Sequence, residues 1–264
     1  LEGLRRMPDN SVDLILTDPP YFFDTKKGKG TGIVKDSKYL KEIEYMTNGF
    51  DLRILDECVR VMKKINAFFF CSREQIPMYI EYFSALGANI QLLTWSKTDV
   101  PPLCNGKYLS DTEYIIYAYE SNTDERYTLI TDHFITKKVR SSKNDPLYHP
   151  TKKPIDILSS LIQSASKEND IVLDMFSGSA STAVACMETG RKFIGFELME
   201  KYYKVGNKRI AIALEEHPEY KLKSTPLVSK SDIVSGNATS MFDAIDDGNI
   251  DLAILDICGK GNDI

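Results

Sequence analysis

Apolar runs of strand length alternate along the chain with longer amphipathic stretches. The runs typical of buried strands cover residues 12–17, 66–71, 89–95, 112–119, 170–173 and 192–196. The stretches with helical spacing of apolar residues lie near 50–64, 74–86, 153–167, 181–189 and 199–216. Strands separated by helices of this length form mostly parallel sheets with helices on both faces. The pattern therefore predicts an α/β fold with a doubly wound, mostly parallel sheet.

The runs 89–95 and 112–119 depart from this alternation because no helical stretch separates them. The residues between them include Pro101, Pro102 and Gly106, which favour a loop. We therefore expect an antiparallel hairpin at the edge of the sheet. Segments 22–48 and 121–150 match neither period, and long segments of this kind inside a domain are commonly functional or disordered. From Pro218 onward the sequence indicates a linker and then a short strand–helix–strand unit.

The composition is ordinary for a soluble globular protein and argues against several classes. A chain of 264 residues with 42% hydrophobic and 27% charged residues can bury a core in one large domain or two small ones. No apolar run has the length of a membrane span, and the N-terminus lacks the pattern of a signal peptide. The cysteines are scattered without a CxxC pair, which argues against a zinc site or a disulfide framework. We expect a cytoplasmic protein with reduced thiols, no bound metal and no membrane association.

The net charge of −5 is distributed unevenly. Residues 215–264 carry ten acids against four lysines, whereas residues 24–41 carry six lysines against two aspartates. Residues 133–153 carry six basic side chains against one aspartate. Clustered cations in two loop-like segments are suited to contact phosphates. A lysine-rich loop that is merely solvated explains either cluster equally well.

The tetrapeptide Asp18-Pro19-Pro20-Tyr21 follows the first strand-like run directly. The prolines fix φ and remove two backbone donors, so the chain turns stiffly and its carbonyls stay available as acceptors. A carboxylate and a carbonyl can hold an exocyclic amine, while a tyrosine can stack on a flat ring. The tetrapeptide therefore indicates a pocket for an amino-bearing base. The alternative is a turn that only terminates a buried strand.

A second candidate site lies in residues 170–182, which read Asp-Ile-Val-Leu-Asp-Met-Phe-Ser-Gly-Ser-Ala-Ser-Thr. A strand ends at Asp174, and the small residues after it let a ligand approach the backbone and the free N–H groups of a helix start. The next strand ends at Glu197, where an acid is well placed to accept from both ribose hydroxyls. The turn has a single glycine, so the dinucleotide fingerprint GxGxxG is absent. These features fit S-adenosylmethionine, although a tight turn with a solvated acid remains the alternative.

Together these signatures resemble the amino-group DNA methyltransferases. The Asp-Pro-Pro-Tyr tetrapeptide precedes the Asp-x-Phe-x-Gly-Ser turn, which is the permuted order of the β group. Between them, residues 149–154 (His-Pro-Thr-Lys-Lys-Pro) are close to the His-Pro-Thr-Gln-Lys-Pro signature of that family. Residues 94–97 (Thr-Trp-Ser-Lys) and 112–116 (Thr-Glu-Tyr-Ile-Ile) resemble further family elements. The resemblance spans about residues 1–215 and implies a catalytic domain over 1–217 with the Rossmann-like fold of class I methyltransferases.

The resemblance also implies a role for each candidate residue. Asp18 and a backbone carbonyl of Pro19-Pro20 would accept the two protons of the target amine, and Tyr21 would stack on the base. The base would be flipped out of the duplex and methylated by direct displacement, without a covalent enzyme intermediate. The catalytic residues are then Asp18, Pro19, Pro20 and Tyr21. The cofactor-binding residues are Thr151 and Lys153 near the methionine carboxylate, Asp174, Phe176, Gly178 and Ser179 on the methionine side, and Glu197 on the ribose.

Several positions depart from the family pattern. Lys152 stands where glutamine is usual, and we expect it to point outward. Ala180 stands where a second glycine is usual, so its methyl group can tighten the turn. An Asp at the start of the tetrapeptide favours adenine N6, because cytosine-N4 members more often begin with Ser. Cytosine-N4 methylation, methylation of an RNA base, and an inactive module that only binds DNA or cofactor remain alternatives.

The segment near 98–148 is the candidate for recognition of a specific sequence in double-stranded DNA. It is short for this purpose, which favours a short target site or help from a second subunit in a homodimer. The acidic tail, residues 218–264, contains a faint copy of the N-terminus, because 243–256 can be laid over 4–18. The copy continues as Ile257-Cys258-Gly259 and lacks the catalytic tetrapeptide. We expect residues 233–237 of the tail to complete the sheet beside the strand that ends at Glu197; a chance strand–helix–strand unit, or the remnant of a fused module, is the alternative.

Overall fold

The computed structural model of the protein describes residues 1–21, 50–100, 108, 111–120, 131–137, 145, 147–149 and 151–218, together with the backbone of 252–256. The elements in chain order are α1 (Glu2–Arg5), β1 (Leu14–Thr17), α2 (Arg53–Val61), β2 (Asn66–Cys71), α3 (Ile76–Ala85), β3 (Asn89–Lys97), β4 (Thr112–Tyr119), β5 (His133–Thr136), α4 (Ile155–Ala165), β6 (Ile171–Asp174), α5 (Ser181–Thr189), β7 (Lys192–Glu197), α6 (Glu200–Glu216) and β8 (Leu252–Asp256). None of the helices in these ranges has the length and apolar character needed to cross a membrane.

The described strands form one sheet in the order β5-β3-β4-β2-β1-β6-β7-β8. Parallel pairing joins β2 to β1, β1 to β6, β6 to β7 and β7 to β8. The predicted α/β fold with a mostly parallel sheet is confirmed. The central position of β1, between β2 and β6, places the end of the first strand in the middle of the sheet.

Helices cover both faces of this sheet, and the side chains of β2 alternate between the two cores. Phe69 packs on one face with residues of α2 and α3, including Leu55 and Phe83. Phe68 and Phe70 point to the other face, where residues of α4 and α5 complete the core. This alternation follows from the two-residue period of a strand, and the apolar run of β2 reflects burial on both sides.

The hairpin predicted from 89–95 and 112–119 is present but does not form the edge of the sheet. Strands β3 and β4 pair antiparallel from Asn89↔Tyr119 to Ser96↔Thr112, and β4 also pairs antiparallel with β2. Strand β5 then adds in parallel to the outer side of β3. It was missed because its four residues lie in the polar segment 121–150 and none of them is buried.

The tail contributes a strand to the opposite edge of the sheet. Strand β8 pairs in parallel with β7, from Phe193↔Leu252 to Glu197↔Asp256. Residues 233–237, which were expected to pair with β7, lie outside the described residues. The described strand on this side of β7 is Leu252–Asp256, which belongs to the copy of the N-terminal segment.

Candidate active site

The two sequence signatures meet because the strands that precede them are neighbours in the sheet. Strands β1 and β6 are parallel, with Leu14 opposite Val172 and Ile15 opposite Leu173. Their carboxyl ends therefore lie side by side at one edge, where α/β sheets commonly bind ligands. A hydrogen bond of 2.7 Å from the Thr17 hydroxyl to Asp174 Oδ1 joins the two ends directly.

A cleft of about 360 Å³, its solvent-filled mouth included, opens at this edge. It runs from the end of β1, across the segment before α4, to the turn after β6. Seven of the predicted site residues line it: Asp18, Thr151, Lys153, Asp174, Phe176, Gly178 and Ser179. The other predicted residues, Pro19, Pro20, Tyr21 and Glu197, are not among its lining residues.

The Asp18 carboxylate has one engaged oxygen and one buried oxygen without a partner. Its Oδ2 accepts from the Lys153 ammonium. Its Oδ1 is buried and has no hydrogen-bond partner among the described residues. Burial raises the pKa of Asp18, whereas the nearby Lys153 charge lowers it and Glu113 raises it further. A buried acceptor without a donor is costly for folding and is therefore a candidate contact for a ligand.

Lys153 lies beside Asp18 at the end of β1. We expected it near the cofactor carboxylate, but its Nζ contacts Asp18 and lies 3.3 Å from Glu113 Oε2. Burial disfavours its charged form, yet the two carboxylates outweigh burial and raise its pKa. Burial likewise opposes the charge of Glu113, but Lys153 and Lys97 outweigh it and lower the Glu113 pKa to about 2.

The tetrapeptide Asp18–Tyr21 is held by Glu113 of β4 and by Gln75, the residue before α3. The Tyr21 hydroxyl donates to Glu113 Oε2 over 3.1 Å. The Pro20 carbonyl accepts from Gln75 Nε2 over 3.1 Å, and the Gln75 Oε1 accepts from the backbone N–H of Ser72. The ring and the turn are therefore fixed by contacts that sequence patterns did not reveal.

Asp174 acts as the connecting acceptor of the turn after β6. It accepts from Thr17, from the Thr182 hydroxyl at 2.7 Å and from the backbone N–H of Phe176 at 3.1 Å. Burial raises its pKa to about 6 in spite of these hydrogen bonds. The carboxylate thus links β1, β6 and α5 at the point where the cleft opens.

Gly178 is required in the turn because a side chain has no room there. Its φ is +52°, which favours glycine, and a Cβ at this position would lie 2.9 Å from Nε2 of His149. His149 itself lines the cleft and accepts from the backbone N–H of Thr151 over 3.3 Å. It also packs edge-on against Tyr202, with the ring centroids 4.4 Å apart.

Glu197 supports the turn rather than the wall of the cleft. Its Oε2 accepts from the backbone N–H of Gly178 at 2.8 Å, and its Oε1 accepts from that of Met199 at 2.7 Å. Burial raises the pKa of Glu197 to about 6. The predicted contact with a ribose stays a prediction, and it would use the remaining lone pairs of this carboxylate.

Ala180 adopts the conformation for which the family pattern has glycine. It precedes α5 with φ +58° and ψ 36°, in the left-handed region, and is fully buried. This conformation costs an L-residue about 1–2 kcal/mol. Arg209 of α6 braces the adjoining turn, since its guanidinium donates to the Ser179 carbonyl at 3.3 Å and to the Ser181 hydroxyl at 2.7 Å.

Sequence reasoning missed several residues of the site. Lys152 was expected to point outward, but it lines the cleft and its Nζ lies 3.7 Å from Asp145 Oδ2. Glu113 was noted only as part of a family-like strand, although an acid inside the otherwise uncharged strand Thr112–Tyr119 is itself a signal. Gln75 and Arg209 carried no signal, because they contact the site through groups that are distant in sequence, the Pro20 carbonyl and Ser179 and Ser181.

Relatives with similar sequences span most of the chain. The YubD protein of Escherichia coli K12 is 30% identical over 218 residues, which cover 77% of this chain and 84% of the relative. The protein YhdJ of the same organism, named a DNA adenine methyltransferase, is 28% identical over 269 residues, which cover 87% and 88%.

Two solved structures share the fold. The complex of M1.HpyAVI with SAM superimposes with a TM-score of 0.56 at 23% identity, covering 78% of this chain and 90% of that one. The PvuII DNA methyltransferase, described as cytosine-N4-specific, gives 0.59 at 15% identity, covering 97% and 92%.

The match to a known family covers the whole candidate site. A family model described as DNA methylase, of the N6 and N4 type, matches residues 12–208. This range contains both signatures, the cleft and every predicted site residue. The chain therefore belongs to this family of DNA methylases.

Proposed function

We propose that the protein transfers a methyl group from S-adenosylmethionine to the N6 amine of an adenine flipped out of duplex DNA. The observation that carries this proposal is the buried Oδ1 of Asp18. It lacks a partner among the described residues and belongs to a side chain that lines the same cleft as the turn after β6. An amine that enters the cleft supplies the missing donor.

Asp18 and the adjoining turn would orient the amine. The Oδ1 of Asp18 accepts one of its protons, and the Pro19 carbonyl accepts the other, since the Pro20 carbonyl already accepts from Gln75. With both protons held, the lone pair of the nitrogen points away from β1. Tyr21, fixed through its hydroxyl by Glu113, offers its ring to the face of the base. Catalysis here is orientation together with a carboxylate that stabilises the positive charge developing on the amine.

The residues on the other side of the cleft fit the proposed cofactor. When bound, S-adenosylmethionine supplies an electrophilic methyl group on a sulfonium. The buried Ser177 hydroxyl lines the cleft without a hydrogen-bond partner among the described residues, so it is available to a polar ligand. Gly178 leaves its backbone open to close approach, and Phe176 and Thr151 line the same wall. Asp174 and Glu197 would keep this wall in shape.

Adenine is favoured over cytosine because the tetrapeptide begins with Asp rather than Ser. The distinction is testable by incubating the protein with unmethylated duplex DNA and methyl-labelled S-adenosylmethionine and then identifying the modified nucleoside. We expect label in N6-methyladenine. Label in N4-methylcytosine would contradict the choice of base. In a parallel reaction with RNA in place of the duplex, label in RNA but none in DNA would contradict DNA as substrate.

A pair of matched variants separates catalysis from folding. Asp18→Ala should lose at least about 100-fold in methyl transfer, because one oriented acceptor is removed from the reacting amine. Asp9→Ala removes an exposed carboxylate that pairs with Arg60 before β1, and it should transfer methyl as the parent does. Equal activity of Asp18→Ala and the parent would point to another site, and an inactive parent would point to a module that only binds.

Sequence recognition is assigned to the segment near 98–148, which is described only in part. Its short length supports a homodimer on DNA. Sedimentation of the protein with and without duplex DNA tests this, and a species of one chain per duplex at saturation would contradict it.

A further inference from the structure

Four charged side chains from different parts of the fold form one connected group at the cleft, and two of them, Asp18 and Lys153, line it. Lys97 belongs to β3, Glu113 to β4, Asp18 follows β1, and Lys153 lies just before α4. Their side chains are between 8% and 23% exposed, so the group is largely shielded from solvent. Shielded charges interact strongly, and their arrangement constrains every member of the group.

Glu113 is the shared acceptor of this group. Its Oε1 accepts from Lys97, while its Oε2 accepts from the Tyr21 hydroxyl at 3.1 Å and lies 3.3 Å from the Lys153 ammonium. The Lys153 ammonium also lies 5.0 Å from the centre of the Phe70 ring. A single carboxylate therefore fixes both the ring that would stack on the base and the cation that contacts Asp18.

We infer that Lys153 and Glu113 are positioning residues for methyl transfer. Lys153 occupies Oδ2 of Asp18 and leaves Oδ1 as the oxygen that receives the amine, whereas Glu113 holds Lys153 and Tyr21 in place. This inference rests on the proposed function of Asp18. It assigns Lys153 to the base side of the cleft instead of the cofactor side.

The charges of the group also explain why both residues are needed. The two carboxylates and two ammonium groups balance, so Asp18 stays ionised and its Oδ1 remains available to the positive charge that develops on the amine. Without Lys153, Asp18 faces the carboxylates of Glu113 and Asp174 with no cation in contact. Like charges nearby favour the protonated carboxyl, which cannot accept as strongly from the amine. Without Glu113, Lys97 loses this carboxylate partner, and Lys153 and Tyr21 each lose a contact that holds them in place.

The test compares Lys153→Gln, Lys153→Arg and Glu113→Gln in single-turnover methylation of duplex DNA across pH, with cofactor affinity measured separately by calorimetry. We expect Lys153→Gln to lower the rate about 10- to 100-fold, the scale of a misplaced reacting group. The acidic limb of its pH–rate profile should move to higher pH. Lys153→Arg should restore part of the rate and part of the profile. Cofactor affinity should stay within about two-fold of the parent, since Lys153 contacts Asp18.

A control variant and a double variant complete the test. Lys63→Gln, which removes a lysine paired with Asp13 at the far end of β1, should match the parent in rate and pH profile. Glu113→Gln should slow methyl transfer on its own. The double variant with Lys153→Gln should lose less rate than the product of the two single losses, because both residues act through Asp18. This variant provides the readout if Lys153→Gln does not fold.

An unchanged pH profile in folded Lys153→Gln, or full activity of Glu113→Gln, would overturn the inference. A ten-fold loss of cofactor affinity at an unchanged maximal rate would return Lys153 to the cofactor side and would overturn it as well. If the parent itself transfers no methyl group to DNA, the proposed function fails, and that result is separate from any difference among the variants.

Discussion

At the scale of single residues, the buried carboxyls of Asp174 and Glu197 make the stability of the protein depend on pH. The pKa values of Asp174 and Glu197 are both raised to about 6, by burial in each case. Between the pKa of the unfolded chain and this raised value, the folded state binds protons that the unfolded state has released. Stability therefore increases as the pH falls through 6 and decreases as it rises.

We predict that acidification from pH 7 to pH 5 stabilises the protein by about 1 kcal/mol for each of these two groups. Asp51 and Glu113 act in the opposite direction, because their pKa values are lowered to about 2. They stabilise the folded state at neutral pH, and this stabilisation is lost only at more acidic pH. Urea unfolding at the two pH values measures the difference.

Asp174→Asn provides the matched comparison, because an amide keeps the shape of the side chain and removes its titration. Its stability should depend less on pH than that of the parent, by about the contribution of one group. If the parent becomes less stable on acidification over this range, the raised pKa values are wrong.

Residue types suggest a chemistry for the site, but they do not reveal the partners of those residues. An acid, two prolines and an aromatic after a strand already indicate a pocket for an amine. The contact of Lys153 with Asp18 spans 135 positions, and a long flexible side chain can reach several sites from the same backbone position. Sequence therefore placed Lys153 near the cofactor carboxylate, whereas the structure has its ammonium in contact with Asp18.

At the scale of elements, α5 and α6 approach each other closely where Ala180 faces Gly206. A Cβ placed on Gly206 would lie 3.1 Å from the Cβ of Ala180 and 3.5 Å from the Gly178 carbonyl oxygen. The methyl group of Ala180 thus fits against α6 because residue 206 has no side chain. The departure from the family glycine at 180 and the glycine at 206 are two parts of one packing arrangement.

This contact predicts a coupled pair of substitutions. Gly206→Ala should destabilise the protein by about 1–3 kcal/mol, because the new methyl group overpacks the turn. In the Ala180→Gly background the same substitution should cost much less, since the opposing methyl group is gone. Urea unfolding of the four proteins of this cycle gives the coupling.

Lys208→Ala, at an exposed position of the same helix, is the control and should stay within about 0.5 kcal/mol of the parent. Additive effects of the two substitutions would show that Ala180 and Gly206 do not share space, and the account of the turn would have to be abandoned.

The elements that sequence predicted well are those with long apolar periods. Strand Asn66–Cys71 and helix Ser181–Thr189 have the predicted bounds. Helix Glu2–Arg5 and strand His133–Thr136 were missed because four residues are too few to show a period. Both are stabilised by their neighbours, the strand by pairing with β3, and such tertiary support leaves little trace in the local sequence.

At the scale of the whole molecule, sheet order brings the chemistry together. Thr17 and Asp174 are 157 positions apart in sequence yet share a hydrogen bond, because the order places β1 beside β6. The tail adds β8 beyond β7 and covers an edge that would otherwise present unpaired backbone groups. Strands β5 and β8, whose positions the sequence did not reveal, form the two edges of the sheet.

The pairing of β8 predicts which proline substitutions in the tail are harmful. Proline lacks the backbone N–H, and in an edge strand only alternate N–H groups face the neighbouring strand. Of the adjacent variants Ala253→Pro and Ile254→Pro, one should therefore destabilise the protein clearly more than the other, by about 1 kcal/mol or more for the lost hydrogen bond. Val234→Pro and Ser235→Pro, in the segment first expected beside β7, are the matched controls and should cost less than the harmful member of the first pair. Thermal unfolding of the four variants measures this, and the opposite ranking would place 233–237 beside β7 after all.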